Sequence, residues 1–241
     1  MLLDEDAVRR LLRMEDLIPA MARALADLSA GKVVQSVRLM LPVAENQGFF
    51  AATQRLARPD ASVLAILGSG VQAGSHLQAL RLVRGFRDVQ VWSPRNAGTF
   101  ADRFGVRAVG TPEEAVRDAD VVVVATSSRR PVLRGEWLSP GTHVNAVGAC
   151  RPDWRELDDE TLRRARLYVE SREAATRESG DVIAAGEVVA EIGEVVSGTR
   201  PGRQGAEVVT LFKSVGVAVE DVVTADLVYR EALRATRITS S

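Results

Sequence analysis

Residues 63–73 read Val63-Leu64-Ala65-Ile66-Leu67-Gly68-Ser69-Gly70-Val71-Gln72-Ala73, an apolar run that breaks into glycines and resumes at helical spacing. This is the pattern of a buried parallel strand, a tight turn and a helix start. Gly68 lets the chain turn, Gly70 lets backbone approach a pyrophosphate, and Ala73 stands where a small residue permits close packing of helix on strand. The N–H groups of a first helical turn have no partners inside the helix, and the aligned peptide dipoles favour an anion there. Alone, G-x-G-x-x-A competes with a purely structural turn, because glycine-rich connections between strands and helices are common.

The following strand weighs on the choice. Val89-Gln90-Val91-Trp92 ends where a dinucleotide-binding fold reads the adenosine ribose, and an acidic residue there would bond the 2′-hydroxyl of NAD. Ser93-Pro94-Arg95-Asn96 stands in that place instead. A carboxylate repels a 2′-phosphate, whereas the Arg95 guanidinium can pair with it through two parallel N–H···O bonds. The residues therefore favour NADP(H) over NAD, against the plainer reading of a solvated loop arginine.

Outward from this turn, strands alternate with helices. Helical patterns at 72–83 and 97–104 and a helix start at 111–114 separate strands at 89–92, 106–109, 121–125 and 143–148, and the unbroken apolarity of Val121-Val122-Val123-Val124-Ala125 implies burial on both faces. Thr111-Pro112-Glu113-Glu114 reads as a capped helix start. Such alternation predicts an α/β fold with a doubly wound parallel sheet. Thr126-Ser127-Ser128 follows a strand, at the edge where ligands of open α/β sheets bind. Further strands are expected at 167–170 and 208–212, and helices at 187–196 and 214–233, with a flexible glycine- and arginine-rich loop at 198–205. Before the glycine turn, 4–13 and 16–30 form amphipathic helices, Gly31 ends the second, and 33–43 alternates as a strand. Arg38 projects from a face of that strand otherwise lined by small or apolar groups, and a satisfied surface arginine is its ordinary explanation.

With 241 residues and 46% hydrophobic content, the chain can bury a substantial core in one domain or two small ones. The 31 basic and 32 acidic residues are interspersed, for a net charge of -1, which gives no argument for nucleic acid or an acidic membrane. A lone Cys150 cannot form an internal disulfide and suits a reducing compartment. Asp4, Glu5 and Asp6 fit neither a secretory signal nor a transit peptide, and no apolar run approaches the ~20 residues of a membrane span. The expectation is a cytoplasmic protein.

Four stretches are more particular than these patterns: Gly68-Ser69-Gly70-Val71-Gln72-Ala73, the run from Asn145 through Arg151-Pro152-Asp153-Trp154-Arg155-Glu156-Leu157 to Asp158, Glu178-Ser179-Gly180-Asp181, and Phe212-Lys213-Ser214-Val215-Gly216. Together the chain resembles the ornithine cyclodeaminase/mu-crystallin family, in its ketimine-reductase branch, over nearly its whole length. The resemblance implies NADPH-dependent reduction of cyclic ketimines, binding of thyroid hormone (an iodothyronine), and a homodimer. It implies a Rossmann domain over 55–213 and a smaller dimerisation domain built from both chain ends, 1–54 and 214–241. It places the pyrophosphate on Gly68, Gly70, Val71 and Gln72. It sets the 2′-phosphate near Ser93, Arg95 and Asn96, although the family's arginine stands one place earlier, at Pro94. Thr126, Ser127, Val147 and Ser214 would line the cofactor path, and Arg38 and Glu178 match hormone-binding positions.

The departures are as telling. Family members carry, between the segments matching Phe50 and Ala51, several further strands, a lysine for the substrate carboxylate and an Arg-Thr-Ala-Ala turn, and nothing here corresponds to them. The small domain is thus expected to be incomplete, as in an internally shortened form. Cyclodeaminases use an aspartate where Cys150 stands, which argues against ornithine deamination. No metal site is expected. His76 and His143 read as structural, Cys150 and Asp153 as bystanders, and no proton donor is assigned. An imine reductase, a non-catalytic binder of NADPH and iodothyronine, and a chain unable to close its small domain all remain open.

Overall fold

The computed structural model describes residues 5–33 and 48–238. Its frame is one sheet of strands β1 (Val63–Leu67), β2 (Asp88–Trp92), β3 (Arg107–Ala108), β4 (Val121–Val124), β5 (His143–Ala146), β6 (Ala165–Val169), β7 (Ala190–Glu191) and β8 (Val209–Lys213). Helices α1 (Glu5–Leu11), α2 (Met14–Ser29) and α3 (Gly48–Leu56) precede it. Between the strands run α4 (Val71–Val83), α5 (Ala97–Phe104), α6 (Pro112–Val116), α7 (Asp159–Arg164), α8 (Arg172–Glu178), α9 (Gly180–Ala185) and α10 (Ile192–Ser197), and α11 (Ala218–Ile238) closes the chain.

Every strand pairing is parallel, and the spatial order is β3-β2-β1-β4-β5-β8-β6-β7. Parallel neighbours need crossovers, and the helices supply them on both faces. All residues of β1, β4, β5 and β8 are buried, and for β1 and β4 that follows from their unbroken apolar runs. Successive side chains point to opposite faces. Leu64, Ile66, Val123 and Phe212 pack with Ala73, Leu77 and Leu80 of α4 and Ala51, Ala52 and Leu56 of α3. Ala65, Leu67, Val122, Val124, Val144 and Leu211 pack on the other face with Ala115, Leu157 and Val182. Leu17, Met21 and Leu25 of α2 are buried as that helix lies against α10 and α11.

Thr111 caps α6 as its sequence predicts, its Oγ1 accepting from Glu114 N–H at 3.0 Å, while the Glu114 carboxylate accepts from Gly110 N–H, one residue before the cap. Three expectations change. The helix foreseen at 187–196 starts only at Ile192, because Ala190 and Glu191 pair with Tyr168 and Val169 as β7. The last helix starts at Ala218, because the Val215 and Gly216 N–H groups are drawn to the Glu170 carboxylate instead of opening a helix. The 198–205 loop is pinned: the Arg203 guanidinium donates to Leu56 O at 2.6 Å, Gly141 O at 2.9 Å and Val208 O at 2.5 Å. All but the first residue of the strand expected at 33–43, including Arg38, lies outside the described residues.

Candidate cofactor site

Parallel strands of one sheet end at one edge, and four backbone bonds align those ends. Gly68 N–H donates to Trp92 O at 2.8 Å, Ala125 to Leu67 O at 2.8 Å, Val147 to Val124 O at 2.8 Å, and Ser214 to Ala146 O at 3.0 Å. Residues far apart in sequence thus form one row. The chain runs outward from β1 in both directions, toward β2 and toward β4, so a crevice opens beyond those strand ends.

At Gly68 φ is +122°, and a Cβ would stand 2.2 Å from Ala125 O, so no side chain fits the turn. At Gly70, which caps α4, a Cβ would meet nothing within 4 Å. Val71 is 81% exposed, and the first turn of α4 holds no acidic residue. Open space before the positive end of a 13-residue helix suits a pyrophosphate. Ser69 Oγ donates to Ser93 Oγ at 2.9 Å and ties this turn to the end of β2. Arg95 and Asn96 are exposed at the start of α5, and Arg95 makes no ion pair among the described residues. The residues present fit a dinucleotide with a free guanidinium beyond its ribose.

Farther along the row, Glu156 is fully buried, and its Oε1 accepts from Thr126 N–H at 2.8 Å and from Thr126 Oγ1 at 2.5 Å. A Cβ on Gly148 would lie 2.4 Å from the Glu156 carboxyl, so only glycine lets the β5 exit pass. The Lys213 ammonium, also fully buried, donates to Gly148 O. Asp181 accepts from the Glu156 N–H at 3.2 Å and the Leu157 N–H at 3.2 Å, and Glu170 accepts from Ser214 Oγ at 2.6 Å. Burial raises all three carboxyls above their usual range. Glu156 is held at about 7, opposed by the Lys213 charge and the Thr126 bonds, and Glu170 and Asp181 shift the same way for the same first cause.

At the rim, Ser127 is exposed, and the guanidiniums of Arg129 and Arg151 lie 4.9 and 5.1 Å from the Trp154 ring centroid. Neither forms an ion pair among the described residues. Cys150 Sγ donates to Val147 O at 3.2 Å. Gly180 N–H donates to Arg151 O at 3.0 Å, which sets half-buried Glu178, the last residue of α8, beside this loop. Buried Val147 and buried Ser214 complete the row, with the Ser214 hydroxyl turned to Glu170.

His143 begins β5, at the strand end away from this edge, and His76 is sealed in α4; desolvation lowers both to about 3 and keeps them neutral. Among the described residues no group of acids, histidines and cysteine could hold a metal ion. Sequence reading assigned no role to Glu156, Glu170, Asp181 or Lys213. Its available signal was a charge closing an apolar strand, as in Phe212-Lys213 and Val169-Glu170.

The fold defines a Rossmann-like α/β protein with a glycine turn and a helix N-terminus at the strand ends of a parallel sheet. Residues 50–236 match the model of the ornithine cyclodeaminase/mu-crystallin family, and the chain belongs to that family. It is 39% identical over 299 residues to the ketimine reductase mu-crystallin of Macropus fuliginosus, covering 93% of this chain and 95% of that protein. It is 51% identical over 183 residues to the ketimine reductase mu-crystallin of Mus musculus, covering 74% of this chain but 58% of the mouse protein. The Thermococcus litoralis Delta(1)-pyrroline-2-carboxylate reductase, solved with NADH and L-proline, superposes with a TM-score of 0.89 at 30% identity, covering 97% of this chain and 98% of that one. The 299-residue alignment exceeds the 241 residues of the chain, so the kangaroo protein carries internal sequence that this chain lacks.

Proposed function

We propose that the protein binds NADPH along the row of strand ends and reduces a cyclic ketimine. The observation that carries this reading is the Gly68–Gly70 cradle facing a β2 exit that offers Arg95 in place of an acid. Gly68 and Gly70, with the N–H groups of Val71 and Gln72, hold the pyrophosphate. Ser93, Arg95 and Asn96 take the 2′-phosphate, and Thr126, Ser127, Val147 and Ser214 line the remainder. The bound cofactor supplies a hydride. Arg129 and Arg151, which lie over Trp154 and make no ion pair among the described residues, offer a carboxylate-bearing imine the cation its binding needs. The relatives named ketimine reductase and pyrroline-2-carboxylate reductase support this substrate class.

The test is NADPH oxidation with pyrroline-2-carboxylate, beside calorimetry of NADPH and NADH. Turnover and an NADPH preference that Arg95→Glu abolishes are expected. Equal affinity for both cofactors would overturn the assignment of Arg95, and uptake of neither would overturn the whole reading.

A second reading, saturable NADPH binding without turnover, is favoured by the internal sequence missing relative to the kangaroo protein and by the 58% coverage of the mouse protein. In it Arg38 and Glu178 hold an iodothyronine, and saturable cofactor uptake with no oxidation would support it. The two-part organisation, 55–213 against both chain ends, and a homodimer belong to either reading. Exposed Val222, Tyr229 and Leu233 share one stripe of α11 that a second copy could cover. Size-exclusion chromatography showing a monomer would remove the dimer. A cytoplasmic setting accords with Cys150 being in no disulfide, and among the described residues no helix is long and apolar enough to cross a membrane.

A further inference from the structure

Glu156 touches none of the phosphate cradle, yet it is sealed from solvent and spends one carboxyl oxygen on Thr126, through both the backbone N–H and the hydroxyl. We infer that Glu156 is a positioning residue of the cofactor site: by accepting the Thr126 hydroxyl proton it fixes that oxygen as an acceptor toward the ligand. This rests on the cofactor reading above.

The geometry leaves the hydroxyl little choice. Thr126 Oγ1 gives its proton to Glu156 and accepts from Ser128 N–H at 3.0 Å, so one lone pair remains for an N–H or O–H of the nucleotide. The other carboxyl oxygen, Oε2, is buried and has no hydrogen-bond partner among the described residues, and is therefore where a proton would sit. The groups around it come from three further elements: Lys213 at the end of β8, Asp181 in α9, and Arg155 beside Asp181, with Glu170 at the end of β6 sharing the Lys213 field. Ionised, Glu156 makes charge-assisted bonds to Thr126. Protonated on Oε2, it keeps only a neutral acceptor of about half that strength. Its burial centres the change at about 7.

Nucleotide affinity should therefore fall about tenfold between pH 8 and pH 6, the difference between a charged and a neutral hydrogen bond. The 2′-phosphate of NADPH also titrates near pH ~6, so NADH, which lacks it, must show the same fall. Calorimetry of both cofactors from pH 6 to pH 8.5 is the experiment. Glu156→Gln, a neutral copy of the acid form, should bind with the pH 6 affinity of the parent protein throughout. Thr126→Val, which removes the hydroxyl and leaves the buried carboxyl its Thr126 N–H bond, should flatten the profile likewise and serves where Glu156→Gln does not fold. Flat binding of NADH in the parent protein, or a pH dependence that survives in either variant, overturns the inference while leaving the cofactor reading intact. Uptake of neither cofactor at any pH overturns both.

Discussion

His143 provides a pH test of the core. Its ring lies between β5, β8 and α3: Nδ1 faces Thr210 Oγ1 at 3.0 Å, Nε2 faces Asn145 Oδ1 at 3.2 Å, and Asn145 Nδ2 donates to Thr53 Oγ1 at 2.9 Å. Asn145 Oδ1 accepts, so Nε2 carries the proton, an assignment made from the network, while Nδ1 lies against a Thr210 hydroxyl that donates to Leu56 O at 3.0 Å. Burial lowers the group from 6.5 to about 3. The unfolded chain takes up a proton below pH 6.5 and the folded one does not until about pH 3, so stability falls as pH falls through that window. At ~1.4 kcal/mol per unit, His143 removes about 2 kcal/mol between pH 7 and pH 5. His143→Gln cannot titrate. The variant should be less stable by about 1–3 kcal/mol at pH 7, having lost these bonds, and the gap to the parent protein should narrow by about 2 kcal/mol at pH 5. Urea unfolding at pH 7, 6 and 5, followed by tryptophan fluorescence, measures it. A gap that does not change with pH would refute the neutral, buried assignment.

Three further outcomes follow from the site. Gly68→Ala sets a Cβ against Ala125 O at a φ of +122° and should cost about 2 kcal/mol or more in urea unfolding. Gly70→Ala, whose Cβ enters open space, should stay within about 0.5 kcal/mol while calorimetry shows weakened nucleotide binding. Lys213→Met strips the buried carboxyls of their cation and should destabilise by about 3–5 kcal/mol at pH 8. The loss should be smaller at pH 5, because burial already raises Glu156, Glu170 and Asp181 toward their protonated forms, and denaturant midpoints at both pH values check it.

What the sequence by itself determined is what short-range periodicity encodes. The apolar run into Gly68, the uninterrupted valines of β4 and the Thr111 cap were legible because each depends on a few neighbouring residues: a period of two or none, a turn that needs glycine, a helix start that needs a side-chain acceptor. Those signals suffice for a parallel sheet and for the residues at its strand ends. They carry no record of which strand lies beside which. Only the tertiary structure seats β8 between β5 and β6, and that placement brings Lys213 to Gly148 and sets Glu170 against Ser214. It also turns Arg203 from a loop residue into a tie for five carbonyls. Burying a lysine among carboxyls is costly unless each group meets its partner, and such partners, tens of residues apart in the chain, come together only when the sheet is complete.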